Sequence, residues 1–244
     1  MNKKLIFLLF LISSPLYSAI LFDGVDDYVS IPYSANLTFS KNPFAVSFWV
    51  RVDDFTKGGI VGKQSSSFAY DGWRFECTGS RDIMLGIYGD GANETYTTTN
   101  HPISTSTWHN IIINADFGVG NTSYVYVDNV LQITALDVKH TVISESNPIT
   151  FGKSYQSGTL FFKGAVDEVR VFDGNLSLDQ IASLSLSRLR IGSTDKLRGY
   201  WTFDEGNPGT TSTTAVVLDR SSNTANGTPT NGPVWEGSTW ISYP

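Results

Sequence analysis

Residues 44–52 read FAVSFWVRV, and this stretch decides the fold. Apolar side chains occupy every second position from Phe44 to Val52, so they fall on one face of an extended chain. The residues between them, including Ser47 and Arg51, fall on the other face. An alternation with a period of two predicts a β-strand that buries one face in a core.

The same pattern recurs along the chain in WRFEC (73–77), WHNIIINA (108–115), SYVYVDNVLQI (123–133) and AVDEVRVF (165–172). Asp128-Asn129 interrupts two apolar runs, which predicts a tight hairpin turn. Cys77 shares the parity of Trp73 and Phe75, so we expect a small buried apolar residue rather than a reactive thiol.

One helix is predicted near residues 177–186. Ser177 precedes LDQIASL and Gln180 follows three residues later, which is the spacing of a capping box. Leu178, Ile181 and Leu184 then fall on one face. Many short strands with one late helix predict an all-β fold, an antiparallel two-sheet sandwich or jelly roll.

The first residues, MNKKLIFLLFLISSPLYSA, have the form of a signal peptide. Lys3 and Lys4 precede an apolar run that is too short to span a bilayer, and cleavage is expected near Ser18-Ala19. The sequence therefore predicts an exported protein, secreted or at the cell surface, without membrane insertion. Residues 1–18 are the leader, and residues 19–244 form one domain.

Composition limits the classes of partner that the protein can bind and the interactions that can stabilise its fold. Without its two leader lysines the chain carries 15 basic and 23 acidic residues, a balance of −8. This acidity argues against binding of nucleic acid or anionic lipid. Cys77 is the only cysteine, so no internal disulfide can form. A large core, a bound metal or both must stabilise the domain.

The late stretch GYWTFDEG (199–206) also has the pattern of a strand. The tail after Gly206 is rich in Gly, Asn, Thr and Pro and has too few apolar residues to build a second core. Residues 199–244 are therefore expected to join the main sheet and close the sandwich.

Taken in order, these motifs resemble laminin G-like domains of the concanavalin A-like lectin/glucanase superfamily. The resemblance rests on ILFDGVDDYVSIP, FAVSFWVRV, STWHNIIINAD, YVYVDNVL, ITFGKS and FKGAVDEVRVFDGNLSLDQIASL. It implies a jelly roll. In many of these domains the segment resembling GYWTFDEG and its tail precedes the FDG strand, whereas here it follows.

Asp167 suggests a metal site. The alternation in AVDEVRVF places it with Ala165, Val169 and Val171 on an apolar face. A buried carboxylate must be protonated, paired with a base or bound to a cation, because its desolvation costs several kcal/mol. A hard cation with oxygen ligands meets this need, and calcium suits an exported protein.

The resemblance supplies the other candidate ligands. It implies that Asp167, the carbonyl of Gly24 and Asp219 converge on one structural calcium, with Asn226 and Asp23 as further candidates. Such an ion would tie the tail to the early FDG loop. Alternatively, Asp219 and Asn226 only make the side-chain hydrogen bonds of Asx turns.

No catalytic residue is predicted. The acids occur as adjacent pairs, at 26–27, 53–54, 167–168 and 204–205, and strand neighbours point to opposite faces. Retaining glycoside hydrolysis needs carboxylates about 5 Å apart. His109 follows Trp108 with the parity of Ile111, which favours a structural histidine, and no Ser/His/Asp spacing is apparent.

Binding is the favoured function. Aromatic rings stack on sugars, and the candidate rings in or near loops are Tyr70, Tyr96, Tyr155 and Trp73. Alternatively these rings cap the ends of the sandwich, which is favoured for Trp73. We therefore expect a secreted module that binds carbohydrate or a surface glycoconjugate. The alternatives are a protein–protein adhesion module that contacts another surface protein and, less favoured, a diverged glycoside hydrolase.

Overall fold

The computed structural model describes residues 18–39, 42–56, 58–64, 72–89, 92–116, 120–136, 146–155, 159–186, 196–211 and 215–237. The first half of the chain forms β1 (Ser18–Asp23), β2 (Tyr28–Ile31), β3 (Phe44–Val52), β4 (Gly58–Gln64), β5 (Gly72–Cys77), β6 (Ile83–Gly89), β7 (Ala92–Thr97), β8 (Trp108–Ala115) and β9 (Thr122–Val127). The second half forms β10 (Val130–Leu136), β11 (Ile149–Phe151), β12 (Lys153–Tyr155), β13 (Thr159–Phe161), β14 (Lys163–Asp173), α1 (Leu178–Leu186), β15 (Leu197–Trp201), β16 (Thr228–Thr230) and β17 (Val234–Gly237).

Two antiparallel sheets form the sandwich, as the sequence predicts for an all-β jelly roll. The eight-stranded sheet has the order β10-β9-β8-β3-β14-β1-β17, with β15 also paired to β14. The seven-stranded sheet has the order β16-β2-β11-β4-β5-β6-β7. Strands β12 and β13 form a separate hairpin. No helix in the described stretches is long and apolar enough to cross a membrane.

The inner faces of the two sheets form the main core. The alternating apolar side chains of β3 face those of β5, and the rings of Phe48 and Phe75 lie 5.2 Å apart in an edge-to-face contact. Cys77 is buried in the same core, and burial raises the pKa of its thiol to about 12. The predicted faces of β3 and β5 and the inert role of Cys77 are therefore confirmed.

Strand β14 changes partner halfway along its length. One edge pairs with β3, whereas the other pairs with β1 over residues 163–166 and with β15 over residues 169–172. Where the partner changes, a bulge lies between Asp167 and Arg170, and Glu168 adopts a left-handed φ of 52°. A bulge inserts an extra residue and shifts the side-chain alternation.

This bulge corrects the predicted parity of Asp167. Val166 pairs with Val50 and both lie in the main core, whereas Asp167 pairs with Trp49 on the outer face. Val169 and Val171 return to the core only because of the extra residue. Asp167 therefore does not share a face with them, although its side chain is fully buried.

The late residues contribute to both sheets. Strand β15 pairs with β14, β16 pairs with β2, and β17 pairs with β1. These late strands therefore complete the sandwich beside β1, β2 and β14, and their buried side chains belong to the main core.

The predicted hairpin turn and the predicted capping box are both confirmed, the first by backbone angles and the second by hydrogen bonds. Asp128 and Asn129 both adopt left-handed φ angles, 49° and 64°, in the two-residue turn between β9 and β10. At the start of α1 the Ser177 N–H donates to Gln180 Oε1 (2.8 Å), and the Gln180 N–H donates to Ser177 Oγ (3.3 Å). This reciprocal pair is a capping box.

The buried face of α1 differs from the predicted one at Leu178, which is exposed. The face runs instead through Ile181, Leu184 and Ser185. It packs on the outer side of the eight-stranded sheet, where the Ser185 hydroxyl donates to Asn110 Oδ1 (3.0 Å). This hydrogen bond to the sheet explains why a serine occupies a buried helical position.

Candidate functional site

Three carboxylates converge in the loop between β1 and β2. This acidic loop consists of Asp23, Gly24, Val25, Asp26 and Asp27. One oxygen from each of its three aspartates lies within 4.8 Å of the other two. Within the described stretches, this is the one group of three or more acidic, histidine or cysteine side chains that approach so closely.

The local backbone explains this convergence. Gly24 has a left-handed φ of 83°, and a Cβ there would lie 2.8 Å from Lys163 Cβ, so the turn requires glycine. The Val25 N–H donates to Asp23 Oδ1 (2.7 Å), and the Asp23 N–H donates to Asp27 Oδ2 (3.2 Å). The reversal brings both ends of the loop, with their acids, to one side.

The electrostatics of the loop favour a cation. Asp27 is buried, whereas Asp23 and Asp26 are exposed. Burial, and after it the charge of Asp23, raises the pKa of Asp27 to about 6 against the smaller opposing effect of the Asp23 N–H. Calcium binds carboxylate oxygens at 2.3–2.6 Å, so oxygens this close together fit it.

The raised pKa of Asp27 predicts a pH dependence in the metal-free protein. Between the ordinary value of 3.8 and about 6, the folded state keeps a proton that the unfolded state has released. Stability should therefore fall as the pH rises through this window. Melting curves in EDTA from pH 4 to 7 should show this fall, and Asp27→Asn should reduce it. Equal pH dependence in the two proteins would contradict the assignment.

The five predicted metal ligands do not form one site. Asp23 and Gly24 belong to the acidic loop, but Gly24 contacts Lys163, which is four residues from Asp167 on β14. That separation is about 13 Å along a strand, too far for a shared ion. Asp26 and Asp27, which the sequence pattern does not single out as ligands, are the residues that lie beside Asp23 in the acidic loop.

Asp167 belongs instead to a buried polar cluster at the bulge. Its Oδ1 accepts a hydrogen bond from the Glu168 N–H (2.8 Å). Glu168 Oε2 forms an ion pair with Arg170 and accepts a hydrogen bond from Tyr200 Oη (2.7 Å). The Arg170 guanidinium also lies 4.3 Å from the centroid of the Tyr200 ring. We call Glu168, Arg170 and Tyr200 the buried ion-pair cluster.

Asp219 organises the tail. Its Oδ1 accepts from the N–H groups of Tyr200 (2.9 Å) and Ser221 (2.8 Å). Its Oδ2 accepts from Ser221 Oγ (2.9 Å) and the Ala225 N–H (2.9 Å), while Asn226 Oδ1 accepts from the Asp219 N–H (3.0 Å). These bonds match the Asx-turn alternative, and they occupy the oxygens that an ion would need.

The side chains of two of the four predicted sugar-stacking rings lie in the described part of the chain, and both contact the core. Trp73 lies in the main core, 5.7 Å from the Phe44 ring, which corrects its assignment to a ligand site. Tyr96 also packs against the core; burial and its hydrogen bond to Glu94 raise its pKa to about 12. Tyr70 and the side chain of Tyr155 lie outside the described residues.

The structure brings Ser104, His109 and Asp128 into line, an arrangement that sequence spacing did not reveal. His109 Nδ1 lies 2.6 Å from Asp128 Oδ2, and His109 Nε2 lies 3.0 Å from Ser104 Oγ. However, Nε2 also accepts the Ser104 backbone N–H at 3.1 Å. Through these hydrogen bonds the imidazole connects the loop before β8 to the β9–β10 turn. This agrees with the prediction that His109 has a structural role.

The outer face of the seven-stranded sheet is covered at its centre. The hairpin β12–β13 lies on β4, where a Cβ at Gly59 would come within 2.4 Å of Ser154 Cβ. Ser154 Oγ donates to Glu76 Oε1 (2.5 Å), and Glu76 pairs with Arg74 (2.7 Å). Both charged side chains are buried, so this carboxylate cannot reach a polysaccharide.

Sequence comparison gives one family. A laminin G family model, described as the concanavalin A-like lectin/glucanases superfamily, matches residues 23–182. No curated protein matches the sequence.

Solved structures share the fold. A "putative carbohydrate binding protein" from Bacteroides ovatus is 19% identical with a TM-score of 0.68, covering 93% of this chain and 61% of that one. A heptameric SAP-like pentraxin from Limulus polyphemus is 14% identical with a TM-score of 0.58, covering 94% of this chain and 99% of that one. The chain therefore spans about three fifths of the Bacteroides protein.

Proposed function

Because the chain belongs to the laminin G-like family of the concanavalin A-like lectin/glucanase superfamily, we propose that it is a secreted, non-catalytic module that binds carbohydrate or a glycoconjugate. The family match over residues 23–182 carries this proposal, since the lectins of the superfamily bind sugars. The Bacteroides neighbour, described as a putative carbohydrate binding protein, shares the fold over 93% of this chain and supports the proposal further.

The burial of the strand carboxylates supports the non-catalytic part. Glycoside hydrolysis needs two carboxyl groups that reach the scissile bond. Asp167 and Glu168 on β14 and Glu76 on β5 are all buried, and each accepts a hydrogen bond from a protein group. His109 Nε2 accepts the Ser104 backbone N–H (3.1 Å), so its lone pair already has a backbone donor besides the Ser104 hydroxyl.

A structural calcium at the acidic loop is part of the proposal. Asp23, Asp26 and Asp27 would hold the ion, which would neutralise charges that now raise the pKa of Asp27. Asn231 Nδ2 donates to the Asp26 carbonyl (3.0 Å), so an ordered loop also fixes the segment between β16 and β17. The ion would thus stabilise the contact between the acidic loop and the segment that joins β16 to β17.

A second candidate, a module that binds another surface protein, rests on a different observation. Val130 and Leu131 are exposed neighbours at the β9–β10 hairpin. Adjacent exposed apolar residues at a hairpin favour contact with a polypeptide, although single exposed apolar residues are common.

A glycan array distinguishes the two candidates. Labelled protein from residue 19 onward, at neutral pH with calcium, should bind a subset of glycans, and free glycan should compete for that binding. An array without specific signal, with the melting curve showing folded protein, would overturn the carbohydrate proposal. In that case Val130→Ser/Leu131→Ser becomes the variant to compare in protein-capture experiments.

A further inference from the structure

Among the described residues, one exposed aromatic ring offers a surface on which a sugar can stack. Of the phenylalanine, tyrosine and tryptophan side chains in the described part of the chain, Tyr33 alone is exposed, at 51%. Stacking on a sugar requires an aromatic face open to solvent. No loop motif in the sequence singles out Tyr33, because its exposure follows from its place just beyond the end of β2.

The Tyr33 ring contacts a buried lysine. It follows β2 and precedes a 3₁₀ turn at Ala35–Leu37, at one end of the sandwich. Lys63 Nζ lies 5.3 Å from the ring centroid and donates to Thr38 Oγ1 (3.1 Å). Because Lys63 is buried, its ammonium supports the ring by a cation–π contact and does not itself face solvent. The contact with Lys63 therefore supports the ring on its inner side.

Polar residues that can meet sugar hydroxyls lie close to Tyr33 in sequence. Ser34 is the N-cap residue of the 3₁₀ turn, but its side chain makes no capping hydrogen bond. Asn36 carries an exposed side-chain amide, which donates to Asn223 Oδ1 (2.9 Å).

We propose that Tyr33 is the stacking platform of the carbohydrate site and that it takes the C–H face of a neutral pyranose. This inference rests on the proposed function and gives it a location. The Ser34 hydroxyl and the Asn36 amide lie next to Tyr33 in sequence, which suits uncharged sugar hydroxyls better than a carboxylated sugar. The platform is also remote from the acidic loop, because Asp27 and Tyr33 flank opposite ends of β2, about 20 Å apart. Calcium therefore does not touch the sugar.

The test measures binding of the best array glycan by the wild type and by three variants. Tyr33→Ala and Tyr33→Leu should lower affinity at least tenfold, whereas Tyr33→Trp should keep it within about threefold. Tyr33→Leu retains apolar bulk without the ring, so it separates stacking from packing if the alanine variant is unstable. Tyr124 is a half-buried tyrosine on the other sheet, so Tyr124→Ala is the matched control and should bind the glycan normally. Wild-type protein in EDTA, at a temperature below its melting transition, should bind the glycan as tightly as it does in calcium.

The failures are distinguishable. If the wild type binds a glycan and both Tyr33→Ala and Tyr33→Leu bind it equally well, the platform is wrong and the proposed function stands. Loss of binding in EDTA while the protein remains folded would also overturn the separation from calcium. If the folded wild type binds no glycan, the proposed function and the platform fail together.

Discussion

Replacing Arg170 with methionine is expected to destabilise the folded protein by about 3–5 kcal/mol, the usual cost of removing one partner from a buried ion pair. Arg170 and Glu168 are 2% and 1% exposed, and they form an ion pair at the bulge of β14. Arg170 also donates to Tyr200 Oη (3.0 Å) and to the Glu168 carbonyl (3.3 Å). The variant keeps the side chain's bulk but leaves the carboxylate without its guanidinium.

For a domain of this size, the loss corresponds to a fall in melting temperature of roughly 10 °C. Thermal and urea unfolding measure it. Arg170→Met/Glu168→Gln, which removes both charges, should recover much of the loss, and Tyr200→Phe should cost only about 1 kcal/mol. A loss below about 1 kcal/mol in Arg170→Met would show that the pair is not a buried, dry interaction.

Removal of calcium should have the second largest effect. An ion that binds only the folded state adds about 2.7 kcal/mol when its concentration is a hundred times its Kd. Melting in EDTA should therefore occur about 5–10 °C below melting in millimolar calcium. Differential scanning calorimetry and elemental analysis of the purified protein measure the shift and the bound ion directly.

Variants locate the ion. Asp26→Asn and Asp27→Asn should abolish the difference between calcium and EDTA, because each removes one of the three converging charges. Asp173→Asn, an acid that pairs with Arg198 away from the loop, should leave the difference intact. Identical melting curves in calcium and EDTA, with no calcium in the elemental analysis, would contradict the proposed calcium site.

The regular parts of the fold could be predicted because they depend on local alternation and local hydrogen bonds. Residues 44–52 carry one apolar face, and that face lies in the core. Ser177 and Gln180 form their capping box within one helical turn, and Asp128-Asn129 makes its hairpin turn without help from distant residues. Each of these features is encoded within a few positions.

The site was harder to predict because it depends on breaks in those patterns. The bulge at Glu168 arises where β14 exchanges β1 for β15, a long-range event that the alternation of AVDEVRVF cannot reveal. The convergence of Asp23 with Asp27 depends on the left-handed Gly24 fitting against Lys163. The contact of Tyr33 with Lys63, 5.3 Å from the ring centroid to Nζ, likewise joins residues that are distant in sequence.

The central claim is that the protein holds a glycan without altering it. The most direct measurement is a calorimetric titration of the best array glycan, followed by mass spectrometry of the glycan recovered after prolonged incubation. We expect a saturable heat of binding and a recovered glycan of unchanged mass. Absence of binding heat from folded protein, or release of shorter or reducing-end products, would contradict it.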